Sequence, residues 1–296
     1  MQGTSCSAQR TSWARGLEFA GDDDRLVAHA GVLPVRLLAG RLGLTGGLSA
    51  AVRRPGFDPV YDRGQVLADL ALTLTDGGEA ISDFQALARL APVIGPVPSN
   101  PAVWRTLAEA GDLQLTRVNT AATAFRRHWR GLLSARPEGF PWLKVAGRER
   151  TGITVVDLDA PVVFARSGKK ENAVAAYKGG IGFCPDLAAC DNTGDMPAID
   201  PRPGNSWPSR KWAVNVAWTQ AVLLAANILA AFRHLALPPG ELRDAAPKLL
   251  RFRFLHVPGR LTRGQRKRWL HLRRDWPRAP GLIAARTKVK ALPAPA

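Results

Sequence analysis

Two carboxylates set two residues apart, Asp157 and Asp159, are the side chains in this chain best suited to chemistry. They alternate with Leu158 in a run that holds Ile153, Val155 and Val156 before them and Val162, Val163 and Phe164 after them. Branched and aromatic residues in a short run bounded by Gly152 and Ser167 predict a strand. Successive strand side chains point to opposite faces, so the two acids share one face. Like charges there repel and resist burial, and they require water, a cation or a basic partner. Two solvated acids near a strand end would satisfy the same pattern.

The elements around this pair are of two kinds. Residues 25–136 read as an all-helical domain, with apolar positions near a 3.6-residue period at Leu26, Val27, Ala30, Leu33, Leu37, Leu38 and Leu42. Pro34 and Gly43 are expected to divide that first run. A second run, Val60 to Thr75, stops at Asp76-Gly77-Gly78, and Ser82-Asp83 caps a third. Ser99-Asn100-Pro101 starts a short helix and Leu113 to Leu133 a longer one. Residues 1–24 read as a loose N-terminus and 137–150 as a Pro/Gly-rich linker. Three antiparallel strands are then expected near 153–165, 180–190 and 196–202, joined as a meander. Ala213 to Phe232 is apolar enough to approach a membrane span, but Asn215, Thr219, Gln220 and Asn227 make a buried core helix the better reading. Arg251 to Val257 alternates with period two and pairs, in this reading, with Lys267 to Leu272 as a basic hairpin. The fold class is therefore α+β.

Charge is unevenly spread. The chain of 296 residues carries a formal net charge of +17. From Arg202 onward there are 19 Lys/Arg against Glu241, Asp244 and Asp275, which is +16, so residues 1–201 carry about +1. A neutral front and a basic tail point to a polyanionic partner, with DNA the natural one. Candidate contacts are Arg251, Arg253, Arg260, Arg263, Arg266, Lys267, Arg268, Arg273 and Arg274. Cys6, Cys184 and Cys190 are too few for a disulfide framework and lack zinc-ligand spacing, which suits a reducing cytoplasm. No signal-peptide layout and no membrane partner are expected.

After the acidic strand come Lys169-Lys170, then Tyr177-Lys178-Gly179-Gly180, the turn Asp191-Asn192-Thr193-Gly194, and Arg202-Pro203-Gly204-Asn205. In that order they resemble the start of the catalytic domain of DDE transposases from bacterial insertion sequences. Ala28 to Leu38, Asp76 to Asp83 and Ser99 to Leu107 resemble stretches of the same family's helical front end, as do the residues around Arg253 to Arg263 and Arg274 to Pro277 its C-terminus. The resemblance implies an RNase-H-like domain over 151–296, a front domain that recognises transposon ends, and Mg2+ held by two Asp and one Glu. Asp159 matches the first catalytic, metal-binding Asp, with Asp157 the alternative. The family carries its second Asp and its Glu between the Arg-Pro-Gly-Asn motif and the long apolar helix. Here only nine residues separate Asn205 from Asn215, and no acid lies among them.

The chain thus reads as an internally deleted transposase that keeps DNA affinity and does not hold Mg2+ productively. Two further readings are a non-enzymatic regulator that competes with intact transposase for its ends, and an inert decayed product. Self-association or association with intact transposase goes with the first two.

Overall fold

The computed structural model describes residues 16–20, 28–165, 173–176, 178–200, 213–264 and 267–295, and among these it is a mixed α+β structure. Strand β1 (Leu17–Ala20) precedes helices α1 (Val32–Arg41), α2 (Leu44–Val52) and α3 (Arg63–Thr75). Gly43 separates α1 from α2 as expected, whereas Pro34 does not break α1. It sits in the first turn, where its missing N–H has no intrahelical partner to lose. Asp62 caps α3 by accepting from the Gln65 N–H at 2.6 Å, and Ser49 of α2 donates to the same oxygen at 2.6 Å. The helix stops at Asp76, Gly77 and Gly78.

A 3-10 helix over Ile81–Leu90 then leads into α4 (Ala91–Ile94), α5 (Asn100–Ala108) and α6 (Asp112–Ser134). Helix α6 buries Val118, Ala122, Phe125, Trp129 and Leu133 along one stripe. The expected linker holds a small hairpin, β2 (Leu143–Val145) with β3 (Arg148–Arg150).

The expected meander is present in location but split. Strands β4 (Val156–Asp159), β5 (Val163–Phe164), β6 (Val174–Ala175), β7 (Ile181–Phe183), β8 (Asp186–Cys190) and β9 (Ala198–Asp200) form two three-stranded sheets, ordered β4-β8-β9 and β5-β7-β6. Pro161 and Pro185 interrupt the two long expected strands, because neither can donate to a ladder.

Helix α7 (Ala213–Ala236) runs about 36 Å at 1.5 Å per residue. It is long and apolar enough to cross a membrane, yet Ala217, Ala221, Leu224, Ile228, Ala231 and Phe232 are fully buried within the protein. The core-helix reading describes this packing. After α8 (Glu241–Asp244) and α9 (Pro247–Leu250), residues Arg251–Leu255 form a π-helical turn, not the expected strand. A strand would bury Phe252 together with Phe254. Here Phe252 is 69% exposed, while Leu250, Phe254 and Leu255 are all buried, a spacing that only a helical turn can bring to one side.

The basic hairpin exists with a shifted first strand. β10 (Gly259–Gly264) pairs antiparallel with β11 (Lys267–Leu272), and β1 adds to β11 in parallel. Helix α10 (Ala279–Ala291) completes the described fold. One hydrophobic core runs from α1–α6 through α7 into the hairpin and α10, joining Leu33, Leu70 and Trp129 to Phe232, Leu270, Leu282 and Val289. Among the described residues of 143–200 none belongs to it.

Candidate functional site

Antiparallel register sets Asp157 opposite Ala189 and Asp159 opposite Leu187. Asp157 and Asp159 therefore share a face of the sheet with Leu187 and Ala189. The next residue on that face is Asp191, whose N–H donates to the Val155 carbonyl at 3.1 Å. Its carboxyl is pushed above the ordinary carboxylate value, first by a hydrogen bond with the Asp157 carboxyl, then by desolvation and by the Asp157 charge. Asp159 accepts from the Ala160 N–H at 2.8 Å. Asp186 and Asp200 face each other across β8 and β9 on the opposite side of the sheet. The sequence paired Asp157 with Asp159; the structure couples Asp157 to Asp191, the diagonal cross-strand position beyond its direct partner Ala189 and still within reach of a side chain.

The turn that carries Asp191 is anchored with unusual thoroughness. Asn192 accepts from the Val155 N–H at 2.9 Å and donates to the carbonyls of Pro141 and Ile153 at 3.1 and 3.2 Å. Asp195, fully buried, accepts from Arg130 of α6 at 2.7 Å and from the Thr193 hydroxyl. His234 of α7 meets the Thr193 carbonyl at 3.0 Å and stacks on Trp129. Asn227 of α7, also fully buried, accepts from the Met196 N–H at 3.2 Å. Burial pushes the His234 imidazole below its ordinary pKa, and the hydrogen bond to Thr193 offsets only part of this. These contacts fasten the β4-β8-β9 sheet to the helical core and leave its acidic face outward.

Sequence reasoning placed Asp191 in a motif but missed Arg130, Asp195, Asn227 and His234 as its supports. The available signal was lone polar residues inside apolar helical runs, which need partners when buried.

This donor set does not fit a two-metal centre, which takes carboxylates from separate elements around ions about 3.5–4 Å apart. Asp157, Asp159 and Asp191 lie along one exposed face, and among the described residues no further acid converges on them. Glu241, the first acid after Asp200, is bound to Arg253 and Arg278. The Arg253 guanidinium, with Arg278 adding to it, holds the Glu241 carboxyl below the usual carboxylate range.

The basic residues fall into three groups. Arg251 packs beside Gly77, and Arg253 is paired with Glu241, both in the π-helical turn. On the hairpin, Arg260 and Lys267 share a face with Thr262, Trp269 and His271, and Lys267 lies over the Trp269 ring at 5.8 Å. Arg263 and Arg268 share the other face with Leu261 and Leu270, and Arg268 donates to the Val93 carbonyl at 3.3 Å. Arg273 is paired with Asp275 at 2.5 Å and Arg274 is exposed. Arg266 lies outside the described residues.

Comparison with known proteins gives no match to a family model, to a curated protein or to a solved structure.

Proposed function

We propose that this chain is a transposase-type protein that binds duplex DNA through its C-terminal part and lacks metal-dependent cleavage. One observation carries the reading: the +16 of residues 202–296, set against about +1 in the rest. Arg263, Lys267 and Arg274 are exposed at and beyond the hairpin, as cations meeting a phosphate backbone must be. The antiparallel order β4-β8-β9, with Asp157 and Asp159 on its first strand, supports the reading because an RNase-H-like sheet opens with such a meander. Among the described residues only Asp191 joins Asp157 from another element, too few carboxylates for the two-metal chemistry that the resemblance implies, so binding without cleavage follows.

The test is a salt titration of affinity for duplex DNA by fluorescence anisotropy. Log K should fall with log salt at about −0.9 per phosphate contacted. Replacing Arg263, Arg266 and Lys267 with Ala should make that slope shallower, and an unchanged slope and affinity would remove the hairpin from the interface. With Mg2+ or Mn2+ present, Asp159→Ala should leave the DNA products unchanged. Metal-dependent nicking that disappears in Asp159→Ala would overturn the catalytic half of the proposal.

A further inference from the structure

His29, Asp76 and His256 come from three distant parts of the chain and meet beside the π-helical turn of Arg251–Leu255. The Asp76 carboxylate lies 2.5 Å from His29 Nδ1 through one oxygen and 3.2 Å from His256 Nε2 through the other. The two imidazole rings are 4.1 Å apart between centroids. Backbone bonds hold them so: the Ala30 N–H donates to the Val257 carbonyl at 2.7 Å and the Gly31 N–H to the Leu255 carbonyl at 3.0 Å. A Cβ at Gly31 would overlap the Phe254 carbonyl and the Leu255 backbone, so the close approach of the two segments needs glycine there. His29 itself takes φ 62°, a conformation uncommon for a side-chain-bearing residue and frequent where function demands strain. Asp76 is set by the end of α3 and is 9% exposed, while the two imidazoles are about one-third exposed.

One atom is left over. His256 Nε2 also lies 3.1 Å from the Asp76 backbone carbonyl and serves that oxygen, so the buried Asp76 Oδ1 accepts no hydrogen bond. A buried carboxylate with one imidazole nitrogen at each oxygen, and one of those oxygens accepting no hydrogen bond, is the donor arrangement of a cation site. We propose that His29, Asp76 and His256 bind one first-row divalent transition ion, with Zn2+ the representative. Two nitrogens and one carboxylate suit Zn2+, Co2+ or Fe2+ and leave a coordination position open to water on the exposed side. Mg2+ is disfavoured, because it takes oxygen ligands in octahedral geometry. The three ligand atoms lie within 4.8 Å of one another. Bonds of about 2.0–2.2 Å fit that space with small side-chain movements. The ion would tie α3 to the segments at 29–31 and 255–257.

The experiment titrates the full, chelator-treated chain with Zn2+ by calorimetry and with Co2+ by visible absorption. Expected are one ion per chain and a Co2+ spectrum without thiolate charge-transfer bands. Asp76→Asn and His256→Gln should each lower affinity by more than about 100-fold, beyond the 10–100-fold typical of outer-shell changes. His128→Ala should leave it unchanged. Added Zn2+ should raise the melting temperature of the wild type and not that of Asp76→Asn. Absence of saturable binding to the folded wild type, binding that survives both ligand variants, or a thiolate-type Co2+ spectrum would each overturn the proposal. Should the variants not fold, the wild-type stoichiometry and Co2+ spectrum decide it alone.

Discussion

At the scale of single residues, buried charge gives the sharpest expectations. Arg36 of α1 and Asp69 of α3 form a two-pronged pair at 2.7 and 3.0 Å, with side chains only 6% and 9% exposed. Removing one partner strands the other charge in the core. Arg36→Met alone should therefore cost about 3–5 kcal/mol, and adding Asp69→Leu should recover most of it. Denaturant unfolding of the two variants makes the comparison, and equal losses in both would mean that the pair matters for shape and not for charge. His234 supplies a pH dependence. Its folded pKa is depressed by burial, so its contribution is complete above the unfolded value of about 6.5 and is lost as pH falls below it. Arg243 and Arg233 nearby deepen the depression, while Asp195 opposes it. His234→Gln should flatten the stability profile between about pH 7 and pH 5 relative to the wild type. An identical profile would show that other groups govern the acid limb.

At the scale of elements, packing overrides local preference. Gly64 lies in the first turn of α3, where Ala would ordinarily add about 1 kcal/mol of helix propensity. A Cβ there would overlap the Ser49 nitrogen and Leu48 backbone of α2, and backbone cannot rotate away. Gly64→Ala should destabilise by about 1–3 kcal/mol, in the manner of an overpacked core. A rise in the unfolding midpoint would contradict the close approach of α2 and α3. The same conflict explains the π-helical turn at Arg251–Leu255. The Arg-Phe-Arg-Phe alternation favours a strand, but the core accepts Leu250, Phe254 and Leu255 together.

At the scale of the whole molecule, the stable body and the sequence segments do not coincide. Helices α1–α6 share their core with α7, the hairpin and α10, while the described residues of 143–200, with their sheets, lie outside it. Those sheets leave Leu158 82% exposed, with Ile153, Val156, Val163, Phe164 and Ile181 also open to solvent. Apolar surface on short edge strands favours association. A protease should cut first within 143–200, and the resulting N- and C-terminal pieces should stay together on a sizing column. A fragment ending near residue 136 should fail to unfold cooperatively, having lost the partners of Trp129 and Leu70. Clean separation of the two pieces after cleavage would show the shared core to be weaker than its extent suggests.

Local chemistry was legible in the sequence wherever one short segment settles it. The Asp76-Gly77-Gly78 stop of α3, the Pro-led start of α5, the helical character of α7 and the charge of the C-terminal part all depend on residues close in the chain. Period and capping report such features because helices and turns close within a few residues. What only tertiary structure decided is who meets whom. The coupling of Asp157 to Asp191, the burial of Asp195 against Arg130, and the meeting of His29, Asp76 and His256 each join residues whose separation in sequence carries no signal. The return of residues 213–292 to the helical core belongs to the same class. An apolar stripe states that it must be buried, and only the packed fold supplies the surface that buries it.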